Sequence, residues 1–379
     1  MQKIIKILTL SLCLVFCVLS SAFAQKPQFI RVVLIQDAKS LNLKIKGFFE
    51  IIEPQTNKVL YRGKELKTTA TLYQDNILLG KVSFRKSKVL IKTSDPFAII
   101  IDGRKFRGDI QLINKDNRVL LVVNNIELED YIKGILYHEA SHYWPPEALK
   151  AQAIACRTYA LYQMQENSHR DWDVTSDIYS QVYGGKTSER YRTNKAVDET
   201  KGLVLSYQDK IFPAYFHATC GGYTEDASML WNNNIPPLKG VACGFCKESP
   251  HFNWHSVLSL KEIEDSLAKS DYKIKGIETI EVISRDRSGR IINLLVRTKN
   301  RNMEIPAKDF RILVGANVIR STNFNISVVG QDAVFVGAGW GHGVGLCQWG
   351  AYFLAKEGKN HEEILKYYYP GSDVKTIGF

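Results

Sequence analysis

The strongest constraint on the fold is a change of hydrophobic period at about residue 127. From residue 28 to about 125, apolar and polar residues alternate in "FIRVVLIQ", "LNLKIKGFFEIIE", "TTATLY", "KVLIKT", "FAIIID", "DIQLIN" and "VLLVVNN". β-branched and aromatic residues dominate, and Asn, Asp, Gly and Lys punctuate the runs, as in short strands with one buried face. At Glu127 the period lengthens. "ELEDYIKGILYHEAS" places Leu128, Tyr131, Ile132, Ile135 and Leu136 on one helical face. Trp144-Pro145-Pro146 must end that helix, and Pro146 suits the first turn of another, with Glu147 complementing its positive end. The second helix, "PEALKAQAIACRTYALYQMQ", is alanine-rich, so neighbouring backbones can approach it closely and it reads as a buried central element. The expectation is an α+β chain, β-rich over 25–125 and mixed over 126–379, with no catalytic cluster in the first part.

Residues 1–24 read as an export signal. Lys3 and Lys6 precede an apolar run from Ile7 to Leu19, and Ala22-Phe23-Ala24 offers a cleavage site before Gln25. The run is short for a membrane span, so the expected location of the mature chain is outside the cytoplasm. The formal net charge of +11 falls to +9 once those two lysines leave. Outside the cytoplasm a basic surface suits an anionic envelope polymer. No Lys/Arg block interleaves with aromatics, which argues against a nucleic-acid reader. Of seven cysteines, Cys156, Cys220, Cys243, Cys246 and Cys347 remain, an odd number that excludes complete intrachain pairing.

His138-Glu139-Ala140-Ser141-His142 spells the H-E-x-x-H of zinc peptidases. That chemistry needs a helix continuing past the second histidine and a third ligand downstream. Trp144-Pro145-Pro146 frays the helix too early, so the peptidase reading is disfavoured. Glu139 survives as a candidate acid and base. It sits at the end of one helix beside a second that carries Gln152, Arg157 and Tyr159, and a carboxyl group facing such polar neighbours has a tunable pKa.

His217-Ala-Thr-Cys220 and Cys243-Gly-Phe-Cys246 are better spaced for a metal, as H-x2-C and C-x2-C pairs suited to tetrahedral zinc, with His251 and His255 in reserve. The competing reading is a Cys243–Cys246 or Cys220–Cys243 disulfide, natural in an exported protein. Structural zinc is favoured, since a disulfide strands one of three clustered cysteines. "GWGHGVGLCQWG" lacks the Lys-Ser/Thr of a phosphate loop. Its alternating glycines instead suit close backbone approach, with His342 and Gln348 as its reactive members and Cys347 as a small buried residue.

The stretch "NNIELEDYIKGILYHEASHYWPPEALKAQAIACRTYAL" resembles the SpoIID/LytB family of cell-wall proteins. "SDIYSQVYGG", "NKAVDETKGLVL", "YFHATCGGYTEDA", "GAGWGHGVGLCQWGAYFLAKEGK" and "ILKYYYPG" follow in the family's order, over about 107–371. The resemblance implies a catalytic domain with a substrate cleft and a lytic transglycosylase that acts on peptidoglycan glycan strands stripped of stem peptides. Glu139 matches the family's acid, and no cofactor enters the chemistry. Arg157 matches the R-T-Y arginine, where substrate binding and a structural ion pair weigh about equally. For Gln152 the structural role is the stronger. Gln181, Tyr183, His342 and Gln348 are implied cleft residues. Some relatives are amidase enhancers, so the alternative is a non-catalytic module that binds peptidoglycan and stimulates a cell-wall amidase.

Overall fold

The alternation of the N-terminal third is realised as one large sheet. A computed structural model describes residues 28–377 apart from 96–97, 178–179, 232 and 271, and the expected export signal at 1–24 lies outside the described residues. Ten strands precede the first described helix: β1 Phe29–Ala38, β2 Ser40–Glu53, β3 Lys58–Tyr73, β4 Asn76–Leu79, β5 Val82–Phe84, β6 Lys88–Thr93, β7 Ile99–Ile101, β8 Arg104–Phe106, β9 Asp109–Lys115 and β10 Val119–Glu127. They assemble in the order β1-β10-β9-β6-β2-β3-β4-β5, with β7 and β8 branching from β2. In β2, Leu41, Leu43 and Ile45 are buried while Asn42, Lys44 and Lys46 face solvent. Gly47, at φ +80°, sits in an irregularity between Lys46 and Phe49. There β2 changes partner from β7 to β6, the bend a glycine in a bulge permits.

β10 runs directly into α1 (Leu128–Glu139), whose buried residues include the five apolar positions the sequence places on one face. After the Pro145-Pro146 turn comes α2 (Pro146–Glu166), buried around most of its circumference from Ala148 to Leu161. Then β11 (Val174–Thr175) adds to the outer edge of β1 in parallel, so a segment beyond 126 completes the N-terminal sheet. The expected boundary at 125 thus falls within the last residues of a strand that continues as helix, and Phe29–Ile377 form one compact unit.

The remainder holds α3 (Tyr191–Glu199), β12 (Leu203–Tyr207), β13 (Lys210–Ile211), β14 (Phe216–His217), α4 (Ser228–Trp231), β15 (Asn253–Ser259), α5 (Leu260–Leu267), β16 (Ile277–Arg285), β17 (Ile291–Thr298), β18 (Asn302–Pro306), α6 (Ala307–Val314), β19 (Phe324–Val329), β20 (Asp332–Ala338), β21 (Leu346–Cys347), α7 (Gln348–Lys356), α8 (His361–Tyr368) and β22 (Asp373–Thr376). One core packs Ala151, Ile154 and Ala155 of α2 against Ala351 of α7 and Ile364 and Leu365 of α8. Another gathers Trp254, Ile263, Leu294, Phe310 and Phe335 within 254–335. Helix α7 starts at Gln348, where the Cys347 sulfur caps it by accepting the Gly350 N–H. No described helix is long and apolar enough to cross a membrane.

Candidate functional site

Glu139 is the last residue of α1, and the chain turns extended at Ala140, as the following prolines require. Trp144 in that turn packs on Trp349 of α7 at 5.2 Å, which sets the end of α1 against the start of α7. Beside Glu139 opens a cavity of about 420 Å³, lined also by Tyr159, Tyr215, His217, Trp231, Trp340, His342 and Gln348. One wall is aromatic: Tyr215 stacks on Trp231 at 4.3 Å and Tyr159 lies 5.9 Å from Tyr215.

Burial raises the Glu139 carboxyl from its ordinary range to about 7, although the Val182 N–H and the Gln348 side-chain amide donate to it and pull the other way. It is the only carboxylic acid among the described residues lining the cavity. The two histidines beside it are neutral. Burial, then the nearby Arg290 guanidinium, lowers His217 to about 3. Burial also pushes His342 well below its usual value, and His217, Arg311 and Arg290 add to the effect. His217 Nδ1 donates to the Val344 carbonyl at 3.1 Å, and its buried Nε2 has no hydrogen-bond partner among the described residues. His342 Nδ1 accepts the Val344 N–H.

Of the residues proposed from sequence, Glu139, His342 and Gln348 therefore share the cavity, but four others do not reach it. Arg157 is fully buried and holds Glu129 through two hydrogen bonds of 2.8 and 2.9 Å, while also donating to the Leu203 and Val197 carbonyls. Gln152 donates to the Cys156 sulfur. Gln181 donates to the Cys156 carbonyl and accepts from Tyr131. Tyr183 donates to Asn124 Oδ1 at 2.9 Å and packs on Tyr131. Each is a polar group satisfied inside the protein, a role that Arg157 and Gln152 also had in the sequence reading. Of the aromatic wall, the sequence reading named only Tyr159 as a neighbour of Glu139. Trp340 lies in the glycine loop and Tyr215 opens the stretch "YFHATCGGYTEDA", both already singled out, whereas Trp231 carries no local signal.

The metal candidates regroup as well. Cys220, Cys243 and Cys246 are joined by Cys347, with all four sulfurs buried and within 4.8 Å of one another. His217 is not among them. Its ring lines the cavity instead, with Nδ1 donating to the Val344 carbonyl. His251 packs its ring on Trp340, and His255 is exposed on β15. The H-E-x-x-H histidines do not converge, because the helix ends between them: His138 bonds Ser188 Oγ at 2.6 Å and His142 lies against Tyr143.

Residues 116–207 match a family model described as stage II sporulation protein, and residues 238–345 match one for a domain of unknown function. The second match spans the whole of the 254–335 core. An uncharacterised protein of Brachyspira hyodysenteriae is 34% identical over 355 residues, covering 93% of this chain and 94% of that protein. Stage II sporulation protein D of Bacillus subtilis is 33% identical over 268 residues, covering 66% of this chain and 75% of its own. An amidase enhancer of Bacillus subtilis is 29% identical over 293 residues, which is 65% of this chain but only 40% of that longer protein.

Proposed function

The chain belongs to the stage II sporulation protein D family, and on that premise we propose that it is a lytic transglycosylase of peptidoglycan. Family membership carries a cell-wall-related role. One observation supports the finer reading: a cavity holding a single carboxyl group whose pKa lies near 7. Hydrolytic glycosidases commonly need two carboxylates, the second serving as nucleophile or activating water. A transglycosylase needs one, because the substrate brings its own nucleophile.

Glu139, protonated, gives its proton to the glycosidic oxygen between N-acetylmuramic acid and N-acetylglucosamine as the muramyl C1–O bond breaks. The resulting carboxylate then takes the proton of the muramyl 6-hydroxyl as O6 bonds to C1, leaving a 1,6-anhydro end and restoring the acid. Trp231, Tyr215 and Trp340 offer apolar faces for sugar rings, and the bare His217 Nε2 accepts a hydroxyl.

The test is digestion of stem-peptide-free glycan strands, with mass spectrometry for 1,6-anhydromuramyl ends. Glu139→Gln is expected to lower product formation on the order of 10²–10⁴-fold, the usual worth of a positioned acid and base. Full activity in that variant refutes the assignment. The rate is expected to fall as pH rises above about 7, where Glu139 loses the proton it must donate. The likeness to an amidase enhancer supports a second reading, in which the cavity binds glycan without cutting it. Glycan binding with no anhydro product, together with stimulation of a cell-wall amidase, decides for that reading.

A further inference from the structure

We propose that Cys220, Cys243, Cys246 and Cys347 bind one zinc ion as a tetrathiolate that clamps together segments bordering the cavity. The proposal stands independently of the transglycosylase reading. Zinc–sulfur bonds of about 2.3 Å in a tetrahedron place the sulfurs about 3.8 Å apart. Here Cys220 and Cys246 Sγ are 3.4 Å apart, Cys243 and Cys246 Sγ are 3.9 Å apart, and every pair lies within 4.8 Å. A disulfide needs about 2.05 Å. So tight a group has room for one ion at its centre, whereas an iron–sulfur cluster needs its ligands spread around a larger core.

The surroundings suit thiolates. The Cys220 and Gly350 N–H groups donate to Cys347 Sγ at 3.3 and 3.4 Å, and the Gly222 N–H donates to Cys220 Sγ at 3.4 Å. The Tyr368 hydroxyl stands 3.3 Å from Cys243 Sγ, placed to donate. Such outer hydrogen bonds orient sulfur ligands and spread their charge. Cys347 also caps the N-terminus of α7, where the helix dipole favours a negative sulfur. Zinc with four thiolates carries two negative charges. The buried Arg290 brings a compensating cation, donating to the Cys220 carbonyl at 2.8 Å.

The four ligands come from three separate places: the segment after β14, the Cys243–Cys246 turn and the start of α7. Cys347 directly precedes Gln348, whose amide donates to Glu139, and Cys220 follows His217 by three residues. One ion would therefore fix two of the segments that line the cavity. It also resolves the odd cysteine count, since Cys156 stays apart, beside Gln152.

The test begins with elemental analysis of the purified full chain, where one zinc per chain is expected. All five cysteines beyond residue 24 are expected to be free thiols after denaturation with chelator and alkylation. Cobalt exchanged into the site should give the visible bands of a tetrathiolate. Cys347→Ser should lose the metal, while Cys156→Ser and His217→Ala should keep it. If Cys347→Ser does not fold, the cobalt spectrum of the unmodified chain decides the ligand set. A metal-free protein with a disulfide among the four cysteines, stoichiometric iron, zinc loss in His217→Ala, or a cobalt spectrum with nitrogen ligation each overturns the proposal.

Discussion

Two polar groups next to the same buried helix have opposite surroundings. Arg157, inside α2, meets Glu129 and two backbone carbonyls, so its charge is answered within the protein. Glu139, at the end of α1, faces a cavity where burial outweighs two hydrogen-bond donors and lifts its carboxyl to about 7. The first arrangement stabilises the fold. The second costs stability and leaves a group that exchanges a proton near neutral pH. A buried polar side chain is thus structural when its partners balance it, and becomes a candidate for chemistry when they do not.

The comparison breaks most visibly if Arg157 is removed. Arg157→Ala leaves the Glu129 carboxylate and two carbonyls without their partner, an expected loss of about 3–5 kcal/mol in urea unfolding. Arg157→Lys should recover only part of it, since an ammonium cannot make the paired contacts of a guanidinium. A loss below 1 kcal/mol would mean that the pair is not structural.

Glu139→Gln should do the reverse and stabilise the protein. A carboxyl raised from 4.5 to about 7 binds more protons folded than unfolded in that window, so stability falls as pH rises through it. The cost is complete above about pH 7 and amounts to about 3 kcal/mol. The variant should accordingly gain up to that much at pH 8 and nothing below pH 4. Paired unfolding curves at those two values measure it, and a gain at low pH would contradict the assignment.

Tyr183→Phe should have the smallest effect. It removes the hydroxyl bonded to Asn124 Oδ1 inside the protein, at an expected cost of about 1–3 kcal/mol. Product formation by the folded protein in the proposed reaction should not change. A fall in rate without a fall in stability would bring Tyr183 back among the substrate contacts.

Much of the site's local frame was legible in the residues. Alternation to 125, the helical face from Leu128 to Leu136, and the proline break after His142 together put Glu139 at a helix end and disfavoured the peptidase reading. The glycine loop was marked correctly as a place of close approach: a Cβ at Gly341 would meet the His217 side chain at 2.8 Å. Gln181 and Tyr183 carried no sign that they turn inward, because a loop has no period from which to read a face.

What the sequence determined by itself is what short spacing controls: the α+β order of elements, where helices stop, and which side chains share one helix or strand face. The tertiary structure alone decided which distant segments meet. It turned Cys347 from a small buried residue into the fourth member of a sulfur group, sent His217 to the cavity, and brought Trp231, Tyr215 and Trp340 around Glu139. The physical reason is one of range. Backbone geometry fixes side-chain direction over a few residues, whereas the sequence separation of 127 between Cys220 and Cys347 is closed only by the packing of α2, α7 and α8 into a common core.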